Sequence, residues 1–343
     1  MSIEKPAQSA SQRLGYRAIR VATGTALALV ISFGLDFPIP VVAPVFTVFL
    51  LATQNCPLSL KTGLMLSLVV ASTTGSGLLL VPLLHHYALA GVMIIACMLF
   101  FAFRYGLRGG NNLVATFLVA GLTMISAAGT ADMELAMTVV GALAKGLLLS
   151  VLVSTLAHRL LPERTGARAQ PAPPVMTDDK TTFIALRAAL VVMPAYLLAM
   201  TDPASYMPII MKSVSLGRQT CTISARTAAR DLIGSTLVGG LLAIAFWFAL
   251  RLFVHLWMFF LWMLLFGLFV GRKLYGLEPT RCSPGFWLNS LVTMIILLGQ
   301  SVQDSVAGKD VYTAFAVRMG LFLAVTAYAY SMLLLFDQRR RAK

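Results

Sequence analysis

Charge is scarce in this chain, and negative charge is scarcest. Only 12% of its 343 residues are Asp, Glu, Lys or Arg, and 13 acids stand against 27 Lys and Arg. A soluble domain is about 25% charged and about 45–50% apolar, whereas 58% of this chain is hydrophobic; the balance excludes a water-soluble globule. Cysteine is sparse too. Cys56, Cys97, Cys221 and Cys282 form no Cys-x-x-Cys pair and have no histidine at ligand spacing, which argues against a disulfide framework and a metal site. The four histidines, His85, His86, His158 and His255, stand beside no Ser or Cys in a nucleophilic arrangement, and no Gly-rich loop ends in Gly-Lys-Ser/Thr. The expectation is therefore no enzyme, no ATP-driven motor and no cofactor. A net charge of +14 would suggest nucleic acid in a soluble protein. In an apolar chain it places Lys and Arg at helix ends beside anionic lipid, so membrane lipid is the expected partner and nucleic acid is not.

What is abundant is uninterrupted apolar sequence. Runs cover 18–35, 39–54, 62–84, 87–103, 111–129, 135–160, 184–200, 206–217, 230–250, 253–270, 285–303 and 311–336. Most approach the ~20 residues that a helix needs to cross a bilayer core, and they lack the alternation of a membrane barrel strand. Backbone polar groups in hydrocarbon must be satisfied internally, which selects helices. The fold class expected is an all-α membrane protein of about twelve transmembrane helices. Residues 1–12 are polar and precede the first run without a cleavage site, so that run is expected to be retained.

Arg13, Arg17, Arg20, Lys61, Arg104, Arg108, Arg159, Arg218, Arg226, Arg230, Arg272, Lys273, Arg281 and Arg339–Arg341 all fall on one side if there are twelve spans. The other side carries Asp36, His85, His86, Asp132, Glu134, Asp202, Asp304 and Asp310, with only Arg251 and Lys309 as cations. The positive-inside rule then predicts a multi-pass protein of the bacterial inner membrane with both termini cytoplasmic.

Residues 162–180, PERTGARAQPAPPVMTDDK, read as a linker between a first six-helix repeat, 1–161, and a second, 181–343. Arg20, Asp36 and Pro40 recur in order as Arg187, Asp202 and Pro208; Lys61 with Gly75-Ser76-Gly77 recurs as Arg226 with Gly239-Gly240; Tyr105-Gly106-Leu107 recurs as Tyr275-Gly276-Leu277; Lys145 recurs as Arg318. An even number of spans per repeat makes the two parallel, related by an axis along the membrane normal.

Two runs are short and interrupted by proline, and they occupy corresponding places. One contains Pro44 between Pro38, Pro40 and Pro57; the other contains Pro208 and Lys212. Broken segments in matching positions mark transporter sites, because freed backbone groups must face protein or a watery cavity; tilted packing helices are the other reading. Lys145, Lys212 and Arg318 lie inside apolar runs, where a cation costs about 2.5–3.5 kcal/mol and so faces a cavity, a partner or, by snorkelling, the headgroups. With hardly an acid to pair with them, they point to an anionic ligand. The candidate substrate-binding residues are Lys212, Arg318, Lys145, Pro44 and Pro208.

The opening RAIRVATGTALALVISFGLDFPIPVVAPVFTVFLLA and the stretch ARDLIGSTLVGGLLA resemble the fusaric acid resistance and aromatic acid exporter superfamily, in a compact branch without its large cytoplasmic domain. The resemblance implies export of aromatic carboxylates or similar organic anions, with a periplasmic adaptor and an outer-membrane channel as partners. A homo-oligomer is open. A membrane scaffold without transport and an anion channel are the rival readings.

Overall fold

The computed structural model describes residues 10–53, 60–110, 112–162, 178–221 and 230–341. Most of the expected linker, together with Cys56 and Arg226, lies outside them. Each apolar run is helical over most of its described residues, and no strand occurs among the described residues. In chain order the helices are α1 (Ala10–Gly34), α2 (Val42–Thr53), α3 (Leu60–Gly75), α4 (Val81–His86), α5 (Ala88–Leu107), α6 (Asn112–Ala131), α7 (Met133–Leu160), α8 (Asp178–Thr201), α9 (Pro203–Thr220), α10 (Ser235–Leu252), α11 (Leu256–Leu274), α12 (Pro284–Val306) and α13 (Val311–Arg341). A 3₁₀ turn over Ser76–Leu80 joins α3 to α4, and a π turn over Arg230–Gly234 leads into α10.

Nine of these helices are long and apolar enough to cross a membrane among the described residues; this is a multi-pass membrane protein. The shortfall from twelve has a physical cause in each case. α2 has 12 residues, about 18 Å at 1.5 Å per residue, too short for a core of ~30 Å. The run 62–84 is divided between α3 and α4 by the 3₁₀ turn. α9 reaches 18 residues, but Lys212, Arg218 and its hydroxyl residues lower its hydropathy.

The packing pairs form matched sets. α1 lies on α11, and α8 lies on α5; α1 on α2, and α8 on α9; α2 on α7, and α9 on α13; α2 on α12, and α9 on α6. The first helix of each group therefore packs across onto the other group. The α1–α11 contact is close because it is made by small residues. A side chain at Gly267 would meet Ala22 Cα at 3.1 Å, and one at Gly271 would meet the Ala18 carbonyl at 3.2 Å, a small-xxx-small face on each helix. The pairing of Ala18 with Gly271 and Ala22 with Gly267 makes the helices antiparallel, so the arginine-bearing start of α1 adjoins Arg272 and Lys273.

At the centre stand α6 and α12, with 72% and 78% of their most apolar windows buried against 22–56% in the other seven long helices. Around them the local irregularities are satisfied. Pro194 lies inside α8 and cannot donate to the Leu190 carbonyl; the Tyr328 hydroxyl on α13 donates to that carbonyl instead, at 3.2 Å. Tyr328→Phe should therefore cost about 0.5–1.5 kcal/mol, the net worth of a hydrogen bond to this half-buried carbonyl, read as a lower unfolding midpoint in mixed micelles. The matched Tyr-Gly-Leu triplets end differently. Gly276, at φ 70°, closes α11 with Leu277 N–H donating to the Arg272 carbonyl at 2.9 Å, a Schellman turn. Gly106 instead continues α5, and the left-handed residue there is Gly109, at φ 90°.

Candidate functional site

Pro44 is not a helix interruption. α2 begins at Val42, so Pro44 sits in the first turn, where its missing N–H has no intrahelical acceptor to serve. Pro208 is different: it lies inside α9, in the second turn of a helix capped by Asp202, whose carboxylate accepts from Ser205 N–H at 3.2 Å. There it removes one intrahelical bond and leaves the Ala204 carbonyl free of its usual donor.

The three intramembrane cations do not converge. Lys145 is exposed, on the same stripe of α7 as the exposed Leu148, Leu152 and Leu156; that outward face corrects its expected place in an internal site. Arg318 has the acid that the sequence seemed to deny it. Its guanidinium makes a bidentate ion pair with Asp304 at the end of α12, with Nη2 3.0 Å from Oδ1 and Nη1 on Oδ2. The pair is largely buried, with the side chains 14% and 7% exposed. Arg318→Met alone should cost about 3–5 kcal/mol by stranding the carboxylate. Adding Asp304→Leu should restore most of that loss in the same unfolding titration.

Lys212 remains. It is completely buried, nine residues into α9 from its first residue and level with the ninth residue after the start of α12, so it sits about 13–14 Å along each helix, near mid-depth. Its Nζ donates to Asn289 Oδ1 at 3.1 Å and to Thr293 Oγ1 at 2.7 Å. The orientation of both acceptors is fixed from behind. Asn289 Nδ2 donates to Ser235 Oγ at 2.6 Å, and Ser235 in turn donates to the Asp231 carbonyl at 2.5 Å. The Thr293 hydroxyl gives its own proton to the Asn289 carbonyl at 2.7 Å. Lys212 has no ion pair among the described residues.

Toward the ends of the helices that carry Asp36, Asp132 and Asp202, a cleft of about 230 Å³ opens between α7, α9, the end of α12 and the turn before α2. Pro38, Ile39, Thr138, Met207, Pro208, Met211, Gln300 and Gln303 line it, with Leu135 and Val139. Met211, which lines the cleft, precedes Lys212, and Gln300 stands two turns, about 10 Å, along α12 from Thr293.

Of the residues around Lys212 and the cleft, the short proline-bearing segments pointed to Lys212 and Pro208, while Asn289, Thr293, Ser235, Gln300 and Gln303 escaped the sequence reading. Their signal is a polar stripe in α12, Asn289, Thr293, Gln300 and Asp304, at helical spacing within an apolar run. A second overlooked signal lies past each short helix: Gln54-x-Cys56-x-x-Ser59-x-Lys61-Thr62 recurs as Gln219-x-Cys221-x-x-Ser224-x-Arg226-Thr227. Counting back seven residues from each Gln sets Thr47 opposite Lys212. Thr47 is also fully buried, but its hydroxyl is spent on the Ala43 carbonyl of its own helix, at 2.9 Å.

Residues 17–157 are similar to a membrane-protein family whose model is described as "Protein of unknown function (DUF2955)". No curated protein and no solved structure matches the chain. The family match contains Pro44 and Lys145; Pro208, Lys212 and Arg318 lie beyond it.

Proposed function

We propose that the protein is a secondary transporter of organic anions in the bacterial inner membrane, with Lys212 as the group that receives the carboxylate. The observation that carries this reading is the buried amine of Lys212 at mid-depth, held by neutral acceptors only and next in sequence to Met211, which lines a cleft between α9, α7, α12 and the turn before α2. A cation sealed in the membrane without an acid is costly and marks a ligand or ion pathway. The reading takes the chain as two parallel six-helix repeats with twelve membrane segments, α3 and α4 counting as one. The crossed packing of α1 on α11 and α8 on α5 and the repeated Gln-x-Cys motif support that duplication.

Export is the direction we assign, with both termini cytoplasmic. The face bearing the arginines would gather anions, and the cleft's neighbours Asp36, Asp132 and Asp202 would repel them on the far side. The substrates proposed are aromatic carboxylates, the partners a periplasmic adaptor and an outer-membrane channel; no catalytic step is assigned. Proteoliposomes of the full chain, loaded with unlabelled hydroxybenzoate, should accumulate labelled hydroxybenzoate by counterflow. A scaffold shows no uptake, and a channel shows conductance in planar bilayers without counterflow.

A further inference from the structure

We infer that Lys212 rests as a neutral amine in the empty site and takes up one proton when an organic anion binds, so that anion and proton move together. The inference rests on the transport reading above and names its coupling ion. It begins from a count of hydrogen bonds. An ammonium has three N–H donors and a neutral amine has two with one lone pair. Among the described residues the site offers Lys212 two acceptors, Asn289 Oδ1 and Thr293 Oγ1, which is the number that a neutral amine can fill.

The surrounding network gives no compensation for a positive charge. Ser235 and Thr293 direct their own protons at backbone carbonyls, and Asn289 is held with its oxygen toward Lys212 by the bond from its Nδ2 to Ser235. Each partner can accept, and none is charged. α8, α6, α12 and α13 pack on α9, and their titratable groups within the membrane runs are Arg187, Tyr196, Asp304, Tyr312, Arg318, Tyr328 and Tyr330, with Asp231 in the adjoining π turn. Tyr312, at the start of α13, accepts a hydrogen bond from Arg251. Asp304 and Arg318 neutralise each other. Tyr196 is bonded to Ser126, and Tyr328 to the Leu190 carbonyl. Asp231 reaches the network only through its backbone carbonyl, its carboxylate lying 3.9 Å from the Arg230 guanidinium.

An isolated charge in such a place is relieved by losing its proton or by gaining a counter-ion. An arriving carboxylate supplies the counter-ion. The balance is simple: amine, proton and carboxylate give an ammonium–carboxylate pair of zero net charge, in which the nitrogen lone pair holds the new proton. By linkage, the anion's affinity and the proton's affinity rise together. The loaded site carries no net charge added by its cargo, so the loaded step is insensitive to the membrane potential; export then runs on the anion's own outward gradient, and an alkaline cytoplasm opposes it.

The test is calorimetric titration of the full chain in nanodiscs with hydroxybenzoate, in phosphate and in Tris buffer. The difference in heat between buffers should report one proton taken up per anion bound. Apparent affinity should fall tenfold for each unit of rising pH, whereas Lys212→Arg, permanently charged, should show neither uptake nor slope. Binding without proton uptake in the unsubstituted protein overturns the inference and leaves the transport reading standing; absence of binding overturns the transport reading. A second measurement needs no ligand: with ¹⁵Nζ-lysine, the ligand-free protein at pH 8 should show a neutral-amine resonance that Lys212→Arg removes. An ammonium at that position up to pH 10 overturns the inference by itself.

Discussion

Replacing Lys212 by Met should lower hydroxybenzoate counterflow about 10- to 100-fold while the protein still assembles in the membrane. The magnitude follows from the pairing lost: a hydrogen bond to a charged group is worth about 1.5–3 kcal/mol, and each 1.4 kcal/mol is tenfold. Assembly should survive because two effects oppose each other. Asn289 Oδ1 and Thr293 Oγ1 lose their donor, which costs about 1–3 kcal/mol for each acceptor left dry. Against that, the need to bury a basic nitrogen disappears, and Met has nearly the length and shape of the lysine stem. The control is Lys145→Met, on the outward stripe of α7, where counterflow should stay within twofold. Equal rates in the Lys212 variant and the unsubstituted protein, at equal amounts in the membrane, would refute the role of the amine.

Gly239→Val should impair folding sharply. A Cβ at Gly239 would lie 2.6 Å from Thr293 Cβ and 2.7 Å from the Ser290 carbonyl oxygen. One of these is backbone, so no rotamer change relieves the clash; α10 must move off α12. Overpacking of this kind costs about 1–3 kcal/mol or more. The displacement also pulls Ser235 from Asn289 and from Ser290, whose hydroxyl donates to the Ser235 carbonyl at 3.0 Å. The expected result is a sharp fall in monodisperse protein on gel filtration and in the unfolding midpoint. Gly141→Ala is the comparison: nothing stands within 4 Å of a Cβ there, and Ala in place of a mid-helix Gly is neutral or gains about 0.5–1 kcal/mol. A Gly239 variant as stable as the Gly141 variant would show that the α10–α12 contact yields easily.

Much of the architecture was written in local patterns, and the site was not. The apolar runs located the helices because length and hydropathy are properties of a segment alone. They overcounted clear membrane crossings where a single feature decides: the shortness of α2, the 3₁₀ turn after Gly75, the polar content of α9. Pro44 shows the limit of composition, since its effect depends on whether the helix starts before or after it by one turn. Arg318 shows another. Its partner Asp304 belongs to the next helix back, and only the α12–α13 turn brings them together, so a tally of acids along the chain missed the pair. Lys212 was legible as an anomaly, a lysine in a short apolar segment. Its meaning was not, because Asn289, Thr293 and Ser235 come from two other helices and converge only through the Gly239 contact.

The crossed pairing of α1 with α11 and α5 with α8 bears on how the protein is made. A ribosome adding about 5–20 residues per second delivers α11 roughly 10–50 s after α1 has left the tunnel. Throughout that interval the Ala18–Ala22 face of α1 has no native partner, and residues 1–161 hold an unfinished surface. The closing event of folding is therefore late and long-range: α11 must find a helix inserted at the very beginning, threading the last third of the chain against the first. Until Gly267 and Gly271 arrive, neither group of helices is a finished object, and a chain stopped at the linker would leave the membrane with half of a clasp.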